Sequence, residues 1–127
     1  MDGQVAVAGS ASGPALVLDE PLSFWGGLDP VTGEIVEANH PQRGEIVTGR
    51  ILVMPSGRGS SSSATVLAES VRLGTGPAGI ILGELDEIVA IGALVAAELY
   101  GTAIPVVVEP TDRYATIESG DRITLTS

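Results

Sequence analysis

Ile51-Leu52-Val53-Met54-Pro55-Ser56-Gly57-Arg58-Gly59-Ser60-Ser61-Ser62-Ser63 is the stretch on which the fold turns. Its first four residues form an unbroken apolar run of strand length, the pattern of a strand buried on both faces. Proline and two glycines then stop the strand and let the backbone turn tightly. Beyond the four hydroxyls, Ala64, Leu67, Ala68 and Val71 recur at i, i+3, i+4 and i+7 and give one apolar helical face. Ser60 or Ser61 can cap the start of that helix, and Gly74 or Gly76 before Pro77 can end it. The segment therefore reads as strand, tight loop, helix.

The pattern continues outward in both directions. Residues 79–82 form a short apolar strand, a second helix runs from about residue 89 to Tyr100 and stops at Gly101, and Pro105 leads into a strand over 106–108. A turn at Ser119-Gly120-Asp121 precedes a last strand over 122–125. Upstream, residues 4–8 and 15–18 read as strands separated by a turn over 9–14. A loop over 19–30 carries Phe24-Trp25-Gly26-Gly27, followed by a turn over 30–33, a brief strand over 34–36, a polar loop over 39–44 and the strand over 50–54. The middle is thus β-loop-α-β-α-β, which predicts an α/β chain. The expected architecture is a three-layer β/β/α domain with parallel central strands and an added antiparallel set. No linker or internal repeat divides it, so one domain is expected over residues 1–127.

Composition narrows the chemistry. A formal charge of −10, with six scattered arginines and no lysine, argues against a nucleic-acid partner, Schiff-base chemistry and a P-loop lysine. There is no cysteine, hence no disulfide, thiol nucleophile or cysteine-held metal centre. A single histidine, His40, makes a self-contained metal site improbable, so any metal must come from another chain. Apolar runs such as 88–97 fall far short of the ~20 residues that span a bilayer. Met1-Asp2-Gly3-Gln4 lacks the basic start of a secretion signal. A cytoplasmic protein without membrane contact is expected.

The serine loop is the main candidate site. Backbone amides at a helix start lack intrahelical partners and lie at the positive end of the helix dipole, so they hold anions. One serine suffices to cap a helix; four after Gly-Arg-Gly exceed that need. The loop is neither a Walker A sequence nor a GxSxG elbow. Phe24-Trp25 could wall a pocket, fill a subunit contact or anchor the core. His40, alone before a proline in a polar loop, is expected at the surface. Glu84, Asp86 and Glu87 could line a site at a strand's carboxyl end or simply cap the next helix.

Taken together, Gly26-Gly27-Leu28-Asp29-Pro30 and the stretch from Leu52 to Ser62 resemble the small subunit of aconitase X. The resemblance extends through Gly79-Ile80-Ile81-Leu82, Ala90-Ile91-Gly92-Ala93 and Ile104-Pro105-Val106-Val107. It implies a swivelling domain that partners a larger chain holding an iron–sulfur cluster or iron, with no cofactor bound by this chain alone. The implied reaction is dehydration of a hydroxylated carboxylate in a site shared between the chains. In the wider superfamily a serine in a Gly-x-Gly-Ser-Ser loop is the base, which falls on Ser60, with Gly57, Arg58, Gly59, Ser61 and Ser62 around the small anionic substrate. Aconitase proper continues Arg-Glu-His where this chain has Ser62-Ser63-Ala64. The substrate-clamping arginine is therefore missing, and Arg58 or the large subunit must replace it. Some family members dehydrate cis-3-hydroxy-L-proline and archaeal ones mevalonate 5-phosphate. The Phe24-Trp25-Gly26-Gly27 and Leu99-Tyr100-Gly101 segments look more like the former. Two other classes stand beside this: a non-catalytic anion-binding regulatory module, and a phosphohistidine carrier, which the absence of histidine from the loop disfavours.

Overall fold

The computed structural model describes residues 4–109 and 115–126. Its frame is a six-stranded mixed sheet. The central strands are β4 (Ile51–Met54), β6 (Gly79–Leu82) and β7 (Val106–Val108), with β1 (Gln4–Val7) and β2 (Ser10–Val17) outside them. β2, β4, β6 and β7 run parallel, while β1 joins β7, and β8 (Arg122–Thr126) joins β2, in antiparallel sense. The spatial order is β1-β7-β6-β4-β2-β8. All four residues of β4 and of β6 are buried, as the unbroken apolar runs require of parallel strands covered on both faces.

Alternation along these strands supplies two cores. Leu52, Met54, Ile80, Leu82 and Val106 face the helices, whereas Ile51, Val53, Ile81 and Val107 face the other way and pack with Ala15 and Leu125. The first half of β2 pairs with β8 through Ser10–Pro14, and its last residues, 15–17, pair with β4. That ribbon covers the second face of the parallel strands and forms the third layer of the expected β/β/α arrangement. The expected turn over 9–14 is corrected: residues 10–14 lie inside β2, only Gly9 precedes it, and β1 and β2 do not pair as a hairpin. Gly13 looked like a turn residue, but a Cβ there would sit 2.4 Å from the Gly49 carbonyl, so it serves close backbone approach. The expected strand over 34–36 is reduced to isolated bridges from Glu34 to Ile46 and Leu28 to Ile35.

Two helices cover the other face, α2 (Ser62–Leu73) and α3 (Glu87–Tyr100), and end at Gly74 and Gly101 in the left-handed region. They approach closely at Gly92, where a Cβ would meet the Ala64 carbonyl oxygen at 2.9 Å. A short parallel pair, β3 (Leu22–Ser23) with β5 (Gly57–Arg58), stands apart from the main sheet. β3 leads directly into α1 (Phe24–Gly27), a single turn broken at Trp25 and Gly26. This pair joins the segment ahead of Phe24 to the serine loop.

Candidate functional site

β4 delivers the chain through Pro55 and Ser56 to β5, and the loop then passes Gly59 into α2. Gly59 has φ +110°, and a Cβ there would stand 2.6 Å from the Ser23 hydroxyl and 2.7 Å from the Ser63 hydroxyl. Only glycine fits. On the other side, a Cβ on Gly57 would meet the Asp86 carboxylate at 2.7 Å. The loop is thus wedged between the α1 turn and the start of α3.

The four serines divide in role. Ser63 is 1% exposed and accepts the Trp25 N–H at 3.2 Å, beside the Ser23 hydroxyl at 3.4 Å. Ser23 in turn donates to the Trp25 carbonyl at 2.9 Å. Ser60, Ser61 and Ser62 are exposed at the mouth of the loop. The Ser60 hydroxyl accepts the Ser62 N–H at 3.3 Å, while Ser61, at the capping position, makes no side-chain cap. The Ser60 and Ser61 amides meet no acceptor among the described residues. A hydroxyl oxygen at a helix start, already receiving one amide, sits where negative charge is stabilised.

The remaining expectations sort clearly. Arg58 pairs with Glu37, whose other carboxylate oxygen accepts the Ser23 N–H at 3.3 Å, so the loop's one guanidinium is partly neutralised. Sequence reasoning did not single out Glu37 or Ser23; neither sits in a motif. The β3–β5 pairing sets Ser23 opposite Arg58, and Glu37 reaches the loop only through its bonds to the Ser23 N–H and the Arg58 guanidinium. Phe24 is buried in the core and Trp25 is 63% exposed, so the aromatic pair is split between two uses. His40 corrects the surface expectation at 4% exposure: its Nδ1 accepts the Gln42 N–H and its Nε2 donates to the Glu20 carbonyl, both at 3.1 Å. It fastens two segments together and makes no contact with the serine loop. Asp86 caps α3 by accepting the Val89 N–H at 3.0 Å, while Glu84 and Glu87 are exposed.

As a donor set for an iron–sulfur cluster or iron, this chain does not fit. It has no cysteine, and its sole histidine is committed to backbone partners. Among the described residues no three His, Cys, Asp or Glu side chains come together, and no helix is long and apolar enough to cross a membrane.

A serine loop at a helix start, carried by a mixed sheet with a ribbon on its far face, is the layout of a swivel domain. The chain belongs to the aconitase X swivel-domain family, whose model matches residues 1–127. It is 49% identical over 100 residues to the cis-3-hydroxy-L-proline dehydratase of Pseudomonas aeruginosa, covering 79% of this chain and 17% of that protein. It is 38% identical over 112 residues to the phosphomevalonate dehydratase small subunit of Methanothermobacter thermautotrophicus, covering 88% and 81% of the two chains. The structure of Thermococcus kodakaraensis aconitase X superposes with a TM-score of 0.86 at 34% identity, over 96% of this chain and 87% of that one. The chain spans 17% and 18% of the lengths of the two hydroxyproline dehydratases it matches.

Proposed function

We propose that this chain is the small subunit of an aconitase X-type hydro-lyase that dehydrates cis-3-hydroxy-L-proline. Ser60 acts as the base in a site shared with an iron-bearing large subunit. The observation that carries the reading is the Ser60 hydroxyl, exposed at the first turn of α2 and receiving the Ser62 N–H. A serine hydroxyl is a weak base in water; amide donation and the helix dipole favour its alkoxide. As alkoxide, Ser60 takes the proton from the carbon that bears the carboxylate. The electron pair left behind forms a carbon–carbon double bond as the neighbouring hydroxyl departs as hydroxide; the proton taken up by Ser60 balances that hydroxide, so water is the second product and the alkoxide is restored. The unpartnered amides of Ser60 and Ser61 receive the substrate carboxylate, and Gly57, Gly59 and Ser62 shape the contact. Arg58, held by Glu37, lends positive charge at the rim. An iron–sulfur centre on the large subunit would supply Lewis acidity for the departing hydroxyl.

The relatives support this substrate: identity to the two hydroxyproline dehydratases is 49% and 44%, over 79% and 84% of the chain. Dehydration of mevalonate 5-phosphate is the second reading, supported by 48% identity over 79 residues to the phosphomevalonate dehydratase small subunit of Methanopyrus kandleri. Purification with the large subunit and an activity screen of both compounds separates them. Turnover of the hydroxyproline supports the proposal, turnover of the phosphate ester alone replaces it with the second reading, and turnover of neither leaves an anion-binding regulatory module. The reading places the chain in the cytoplasm.

A further inference from the structure

Two large apolar side chains stand in solvent on either side of the polar loop. Trp25 is 63% exposed and Leu85 48%. Neither hangs from a loose segment. The Trp25 N–H and carbonyl are both hydrogen bonded, to Ser63 and Ser23, and those two hydroxyls are the atoms against which Gly59 is packed. Leu85 precedes Asp86, which caps α3 and rests against Gly57. The backbone carrying each exposed side chain is therefore fixed, through one neighbour, on a glycine of the loop. Ile91, 47% exposed on α3, extends the Leu85 side.

We propose that Trp25 and Leu85 are the apolar contacts through which the large subunit seats the serine loop, so that docking and placement of Ser60 are one event. This rests on the reading of the chain as half of a shared active site. Trp25 and Leu85 flank the loop that carries Ser60, so a surface that closes over the loop from both sides meets them. An indole on a backbone fixed by two hydrogen bonds has only its two side-chain torsions to lose on binding and buries a large apolar area, the character of an interface anchor. An apolar rim closed around the polar loop also excludes water from it. A second copy of this chain is a poor occupant, because a formal charge of −10 repels its like.

Trp25 is the chain's only tryptophan, which makes the test direct. The chain is produced with 5-hydroxytryptophan at that position, excited at wavelengths where ordinary tryptophan does not absorb, and titrated with its large subunit. The expected result is a blue shift of the emission on assembly. A rise in the dissociation constant of about tenfold or more for Trp25→Ala is also expected, smaller for Trp25→Phe and Leu85→Ser. Unchanged emission on assembly, or undiminished affinity in Trp25→Ala, would overturn the proposal. So would emission that responds to cis-3-hydroxy-L-proline but not to assembly, or a concentration-dependent shift without the partner. If Trp25→Ala fails to fold, Trp25→Phe and Leu85→Ser decide the affinity arm. Failure of the underlying reading looks different: a Ser60→Ala complex that assembles at normal affinity and keeps full turnover removes the serine base and leaves the docking surface standing.

Discussion

Replacing Gly59 with alanine strikes the point where the loop is most tightly held. The residue has φ +110°, a conformation that costs a side-chain-bearing residue about 1–3 kcal/mol. The new methyl would lie 2.6 Å from the Ser23 hydroxyl and 2.7 Å from that of Ser63. Restoring ordinary contact requires a shift of about 0.8 Å, and overpacking of this kind costs about 1–3 kcal/mol. Together these predict a loss of about 2–6 kcal/mol, which for a domain of this size lowers the melting temperature by about 8–24 °C. Urea titration should show a lower midpoint with an unchanged slope. In the assembled enzyme the same displacement moves Ser60 relative to the substrate, and misplacement on this scale is expected to lower kcat on the order of 10²-fold. The double variant Gly59→Ala/Ser63→Ala removes one of the clashing oxygens and should lose less than the sum of the two single changes. A Gly59→Ala chain within about 0.5 kcal/mol of the parent would refute the reasoning.

Other outcomes follow from neighbouring contacts. Ser63→Ala leaves the Trp25 N–H without its partner and should cost about 1–3 kcal/mol, with faster hydrogen exchange at that amide read by NMR. Gly92→Ala places a methyl 2.9 Å from the Ala64 carbonyl oxygen. Separation of α2 and α3 should outweigh the gain in helix propensity for a net loss of about 1–2 kcal/mol in a thermal melt. The Glu69 carboxyl is held below the usual range by its hydrogen bond to Arg72, with the guanidinium charge assisting. Its folded value lies below its unfolded one, so the associated stability is present at neutral pH and lost as pH falls through the folded value. Stability curves of Glu69→Gln should therefore converge with the parent in acid, and an NMR titration of Glu69 at an ordinary midpoint would contradict this.

The part of the fold nearest the loop was readable from sequence because local signals and tertiary demands agree there. The 51–54 run is apolar without interruption and its strand is wholly buried; the 3.6-residue spacing from Ala64 to Val71 became the inner face of α2. Disagreement came where a residue's local habit conceals a long-range purpose. Gly13 and Pro14 read as a turn, yet they lie in a strand whose glycine admits the backbone of Gly49. His40 sits in polar sequence and is buried because Glu20 and Gln42 satisfy its ring, a circumstance no local pattern encodes. The candidate site was half legible. Its serines stood out by number, but the separation of buried Ser63 from exposed Ser60 depends on the α1 turn folding over Gly59. Glu37 reaches Arg58 from 21 residues away, beyond any periodic signal.

The central claim is that Ser60 removes a proton from the substrate. It is tested most directly by the steady-state rate of a Ser60→Ala complex shown by gel filtration and thermal melt to be assembled and folded. The account predicts a kcat on cis-3-hydroxy-L-proline lower by about 10²–10⁴-fold, the contribution of a positioned general base, with KM little altered. A Ser60→Ala complex that turns over substrate at the parent rate would contradict it.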